Sequence, residues 1–237
     1  MKLLRYQNFI KESKEDIESI CRKYNIRNYT INQDGSIDVD GDVDFHFKRL
    51  GKLPLKFRSV SGQFLCSYNA LSTLEGSPIS VGGGFYCNNN QLVSLEGSPL
   101  EVGRNFDCCG NKLTTLLGSP KSVSHNFICD SNRLTTLDGI SENISGTIDC
   151  RDNGNIKDVK GVKDGWRGII LLTGNPVHEI FKLFPKERWD EVIEYLNEFD
   201  VIRDGDLIIL QRLEQVFIEM ELEVPDIEKI LWYKIQF

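Results

Sequence analysis

A cysteine recurs at every twenty-first position through the middle of the chain: Cys66, Cys87, Cys108, Cys129 and Cys150. The neighbouring positions recur with it. A large apolar residue stands two places before each cysteine, at Phe64, Phe85, Phe106, Phe127 and Ile148. An asparagine stands three places after, at Asn69, Asn90, Asn111, Asn132 and Asn153. A fixed period of about 20 residues is the signature of a solenoid, in which each repeat is one coil stacked on the next.

Each slot has a physical reason. Phe-x-Cys is a two-residue alternation, so both side chains point to one face of a short strand. Stacking pairs these strands in parallel, ~4.8 Å apart, with the shared face inward. A cysteine there packs as a small buried hydrophobe. The asparagine turns the chain, its amide serving backbone groups of the turn, and stacked copies form a ladder. Leu71 and Leu74, with their equivalents, continue the core. Gly76-Ser77-Pro78 returns the chain, since glycine permits positive φ and proline ends any helix. The return side is therefore expected to be extended or irregular. Weaker copies flank the clear ones: Val43, Phe45, Leu50 and Leu53 upstream, and, after a one-residue insertion, Ile156, Val159, Ile170, Leu172 and Asn175 downstream. Seven coils over roughly residues 37–181 result.

The pattern F-x-C-x-x-N-x-L-x-x-L resembles the leucine-rich-repeat signature, with phenylalanine and cysteine in the first two leucine slots. The short period is similar to that of bacterial effector repeats. Asn89-Asn90-Gln91-Leu92 and Ser94-Leu95-Glu96-Gly97 most resemble small leucine-rich-repeat proteins of large tailed bacteriophages. The resemblance covers the repeats and implies an α+β solenoid with parallel strands on a concave face. A parallel β-helix is the competing architecture; the asparagine after the core pair favours the leucine-rich repeat.

The ends differ from the repeats. Residues 7–25 carry Ile10, Ile17, Ile20, Cys21 and Tyr24 at helical spacing, an N-terminal capping helix. Tyr29–Ile31 and Ile37–Val39 flank Asp34-Gly35 as two strands around a turn. Downstream, the expected helices are Pro176 to Phe184, Lys186 to Phe199, Leu207 to Leu222 with Asp206 as N-cap, and a last one opened by Pro225 with Ile227, Ile230 and Leu231. Trp232–Phe237 ends as a strand. The expected domains are thus 1–36, an N-terminal cap; 37–181, the solenoid; and 182–237, an acidic helical cap or small module.

Charge bounds the partners. Of the formal −7, residues 177–237 carry 15 acidic against 7 basic side chains, leaving the remainder near +1. Neither part has the basic face that phosphate neutralisation needs, so nucleic acid is not an expected partner. No apolar run reaches the ~20 residues of a membrane span, and no leader pattern is visible at Met1–Gln7. A cytoplasmic location with reduced thiols is expected, in the bacterial host if the chain is phage-encoded.

No constellation points to catalysis, a cofactor or a metal. The ladder cysteines come from separate coils with no C-x-x-C pair. Cys109 alone falls in an outward slot and is the expected reactive thiol. Cys150-Arg151-Asp152 matches the short Cys-x-Asp motif of leucine-rich-repeat ubiquitin ligases, but Cys150 already has a core slot. Asp38 to Asp44 lacks the glycine and glutamate of a calcium loop. His46, His125 and His178 are scattered, and Gly82-Gly83-Gly84 fits a return turn. The expectation is a non-enzymatic module that binds another protein through outward strand residues: Asp44, Leu65, Tyr86, Asp107, Ile128 and Asp149, joined by Tyr68 and Arg151. Leu65, Tyr86 and Tyr68 would form an apolar patch with acid beyond it. By resemblance the partner is a host defence component; the alternative is a structural or assembly role in the phage particle.

Overall fold

The computed structural model describes residues 14–163, 165–203, 207–225, 227, 230 and 233–236. A helix α1 spans 14–23. Strands β1 (Tyr29–Ile31) and β2 (Ile37–Val39) form an antiparallel hairpin around Gly35. Each coil then carries two short strands: β3 (Val43–Asp44) with β4 (Phe57–Val60), β5 (Phe64–Leu65) with β6 (Ser80–Val81), and β7 (Phe85–Tyr86) with β8 (Glu101–Val102). β9 (Phe106–Asp107) with β10 (Ser122–Val123), and β11 (Phe127–Ile128) with β12 (Asn143–Ile144), continue the series. β13 (Ile148–Asp149) and β14 (Ile170–Leu171) complete it. Two seven-stranded sheets result, one ordered β3-β5-β7-β9-β11-β13-β14 and the other β1-β2-β4-β6-β8-β10-β12.

The chain is therefore a β-solenoid with coils of about 21 residues and parallel strands, as the period requires. The return side is ordered more regularly than sequence reasoning foresaw. Its valines and isoleucine (Val60, Val81, Val102, Val123, Ile144) point inward and are buried. The residues before them point outward, so the period-2 rule holds on this side too.

Between the sheets lies a core of stacked identical residues. Phe64, Phe85, Phe106 and Phe127 are buried, with neighbouring ring centroids 5.2–5.6 Å apart. That is the coil spacing with a slight offset, which satisfies the ring quadrupoles. The leucine pairs of these four coils, from Leu71 and Leu74 to Leu134 and Leu137, are fully buried beside them. Glycine is required at the return turn: Gly118 has φ +89°, and a Cβ there would lie 2.5 Å from the Glu96 nitrogen of the preceding coil.

The described part of α1 packs Cys21 into the core and sets Tyr24 edge-on to Phe45, centroids 5.1 Å apart. Ile10 lies outside the described residues. At the other end come α2 (His178–Phe181), a 3-10 turn at Lys186–Arg188 and α3 (Trp189–Glu198). β15 (Ile202–Arg203), β16 (Leu207–Ile209), α4 (Leu210–Glu219) and β17 (Lys234–Gln236) follow. The expected helix from Leu207 to Leu222 is corrected: its first three residues are a strand, paired with β15 and β17 in a small third sheet. Leu207-Ile208-Ile209 is a β-prone run, and its backbone finds partners on both sides. Asp206 and Leu231 lie outside the described residues. Ile227 and Ile230 are buried but not helical.

Candidate functional site

The asparagine ladder holds the turn that presents the outward face. Asn111 Nδ2 donates to the carbonyls of Cys108 at 3.0 Å and Cys109 at 3.3 Å in its own coil. It also donates to Cys87 in the coil before, at 3.1 Å. Its Oδ1 accepts the Leu92 N–H at 3.0 Å. Asn69, Asn90, Asn132 and Asn153 repeat this arrangement. One amide thus satisfies buried backbone groups of two coils, which only asparagine's reach and donor–acceptor pair allow. Cys66, Cys87, Cys108, Cys129 and Cys150 are fully buried, and burial pushes every one of these thiols up, so they stay protonated.

Strand register lines up Asp44, Leu65, Tyr86, Asp107, Ile128, Asp149 and Leu171 in one outward row. Three members share a local task. The carboxylates of Asp44, Asp107 and Asp149 accept the backbone N–H two residues on, from His46 at 2.9 Å, Cys109 at 3.0 Å and Arg151 at 3.3 Å. This Asx turn closes the strand exit. Asp149 is also clamped by Arg151, through Nε at 2.9 Å and Nη2 at 2.7 Å. Tyr86 is half-buried because its ring folds over Gly84, where a Cβ would lie 2.5 Å from Cε2.

Cys109, in its outward slot, is the one cysteine among the described residues that is not buried. It is half-buried among carboxylates. Burial, then the negative charge of Asp107, with Asp130 and Asp149 beyond, push its thiol well above the ordinary range. A low-pKa cysteine needs positive surroundings. Asp107 is shifted upward too, by burial first, against the Cys109 N–H that steadies its charge.

The row one step past this one contains what sequence reasoning missed. Phe47 lies 21 positions before Tyr68, and the two rings stack with centroids 4.5 Å apart and planes at 18°. Phe47 is 69% and Tyr68 48% exposed. Both residues have positive φ, +55° and +56°. The same slot holds Asn89, Gly110, Ser131 and Asp152, residues that tolerate this conformation better. Bulky aromatics there cost energy that their mutual stack offsets only in part. Tyr68 was part of the expected patch; Leu65 and Tyr86 border it half-buried, and His46 is 6.1 Å from the Phe47 ring. The period itself was the signal for Phe47, which sits in a coil whose other slots are divergent.

The other sheet carries a contrasting outward face. A groove of about 620 Å³ runs over it, lined by Ser59, Ser80, Ser122, Gly82, Gly103 and Glu101 among others. The aspartates that suggested a calcium loop are separately engaged: Asp38 with Arg58 and Ser59, Asp40 with Ser61, Asp42 with the Gln63 N–H. Among the described residues no group of three or more His, Cys, Asp or Glu side chains is arranged to hold a metal ion. No described helix is long and apolar enough to cross a membrane.

No protein-family model, no curated protein and no solved structure matches this chain.

Proposed function

We propose that this chain is a non-enzymatic module that holds a partner protein against the outward, concave surface of its Phe-x-Cys sheet. The observation that carries the reading is the Phe47–Tyr68 stack: two large rings, exposed and in a backbone conformation that disfavours them. Strain kept at an exposed position fits a role in recognition. Aromatic anchors beside a polar surround are the usual make-up of a protein interface. Leu65 and Tyr86 extend the anchor, and Asp107 and Asp130 lie along the coils beyond, which suits a partner segment with basic residues next to an apolar one.

The finer reading is a leucine-rich-repeat protein of the kind carried by large tailed phages, acting in the host cytoplasm on a defence component. A structural or assembly role in the particle is the alternative. A pull-down from infected cells separates them: a stoichiometric host protein supports the first, co-purification with virions the second. The surface itself is tested by Phe47→Gly/Tyr68→Gly and by Leu65→Asp/Tyr86→Ala. Loss of the partner with an unchanged melting curve is expected; full retention of binding by folded variants overturns the reading.

A further inference from the structure

Charge is unevenly placed along the coils that present the Phe47–Tyr68 stack. From Phe45 to Leu74 the chain has five basic residues, Lys48, Arg49, Lys52, Lys56 and Arg58, and no acidic one. Two of the five are committed to the hairpin before them: Lys56 Nζ donates to Asp34 at 2.9 Å, and Arg58 is paired with Asp38. Lys48, Arg49 and Lys52 are exposed and form no ion pair among the described residues. Lys48 and Arg49 follow Phe47 directly, so their Cα atoms lie within about 7.6 Å of its own.

This first turn departs from those of the later coils. Lys48 stands in the slot that Asn69 and its successors fill. Arg49 has φ +56°, close to the +55° of Phe47 two places before. The turn therefore holds a ring and a guanidinium together in a conformation that neither favours. Further along the same face the sign reverses. Leu65, Tyr68 and Tyr86 fill the second and third coils, and Asp107 and Asp130 stand in the fourth and fifth. Coils ~4.8 Å apart put the free cations roughly 14–19 Å from these carboxylates, a span of about five residues of extended chain.

We infer that the segment bound by this surface, whose binding rests on the reading above, is an extended peptide laid along the solenoid with a fixed order of charge. Acidic side chains lie over Lys48, Arg49 and Lys52, apolar ones on the stack, and basic ones about five residues from the acids, over Asp107 and Asp130. Opposite charges at the two ends of an apolar anchor set direction and register, since a shifted or mixed order brings like charges together. A free segment this short has no stable helix of its own, so extended chain is the form it takes. A single-stranded nucleic acid also uses exposed rings and cations. Its phosphates would continue onto Asp107 and Asp130, which disfavours it.

The probes are three fluorescein-labelled peptides titrated with the whole chain by fluorescence polarisation at low salt. The first, Glu-Glu-Trp-Ser-Leu-Lys-Lys, has the inferred order. The second, Glu-Lys-Trp-Ser-Leu-Glu-Lys, has the same composition with the charges mixed, and in the third serines replace both glutamates of the first. The first is expected to bind about tenfold more tightly than either of the others. In Lys48→Ser/Lys52→Ser protein, whose exposed substitutions leave the melting temperature unchanged, its advantage should shrink to about twofold. Equal binding of all three peptides, abolished by Phe47→Gly/Tyr68→Gly, overturns the charge order and leaves the aromatic anchor standing. Absence of binding at millimolar peptide, or binding that survives Phe47→Gly/Tyr68→Gly, overturns both. Tighter binding of a labelled oligothymidylate than of the first peptide assigns the surface to nucleic acid and overturns the stated occupant.

Discussion

The inward and outward sides of the Phe-x-Cys strands obey opposite rules. Inward, the four central coils repeat the same residues, and each stacks on its own copy: phenylalanine on phenylalanine, with an asparagine bonding two coils. Outward, the row changes from coil to coil, from Asp44 and Leu65 to Tyr86, Asp107 and Ile128. A separate pressure acts on each side. A buried slot is set by packing against identical neighbours. An outward slot is free to vary, so the residues there that cost stability need another reason.

The comparison predicts large stability effects inward and small ones outward. Phe106→Ala opens a void between Phe85 and Phe127 and should cost about 3–5 kcal/mol in chemical denaturation. Asn111→Ala leaves the Leu92 N–H and the carbonyls of Cys87 and Cys108 short of partners in the interior, at ~1–3 kcal/mol for a buried unsatisfied group. A total loss of about 3 kcal/mol is expected, and a cost below about 1 kcal/mol would break the claim that the ladder is structural. Trp166→Phe removes only the bond to the Ile144 carbonyl and should cost about 1 kcal/mol. Tyr68→Gly relieves the positive φ while losing the stack, so stability should move by less than about 1 kcal/mol in either direction. A large destabilisation there would mean the ring packs for the fold.

The smallest effect is on pH dependence. Asp107 has its folded pKa raised above 3.8, chiefly by burial. Its protonated form is favoured in the fold, so its contribution is present below 3.8 and is lost as pH rises through the folded value. Stability measured against Asp107→Asn should therefore decline over that rise. Asp38, on the other sheet, is held down to about 2, first by its hydrogen bond with Arg58. Its contribution is present above 3.8 and is lost as pH falls through about 2, the opposite slope. Parallel pH profiles for Asp107→Asn and Asp38→Asn would break this part of the comparison.

Much of the fold was legible because packing slots repeat. Phe64, Cys66, Asn69, Leu71 and Leu74 identify one coil, and their recurrence identifies the stack. The second sheet was harder to see, since its strands are mostly two residues long and only one of each pair is inward, as Val81 and Val102 show. The third sheet was missed because Leu207-Ile208-Ile209 runs straight into the helical pattern of α4. In the candidate surface, Tyr68 was legible as an aromatic beside the strand. Its partner Phe47 was not, because stacking depends on where the turn aims both rings. The acidic surroundings of Cys109 were not legible, because Asp107, Asp130 and Asp149 come from three coils.

Coil length, the inward residues and the asparagine turn can all be read along the chain, because a solenoid needs each coil to match its neighbour slot by slot. How the C-terminal end of the solenoid is closed was settled by the folded chain. Trp166 reaches the Ile144 carbonyl at the end of the second sheet, an arrangement set by where the chain runs after the last coil and not by any repeated slot. A backbone group carries no sequence signature of its own, and whether it finds a partner depends on what folds against it.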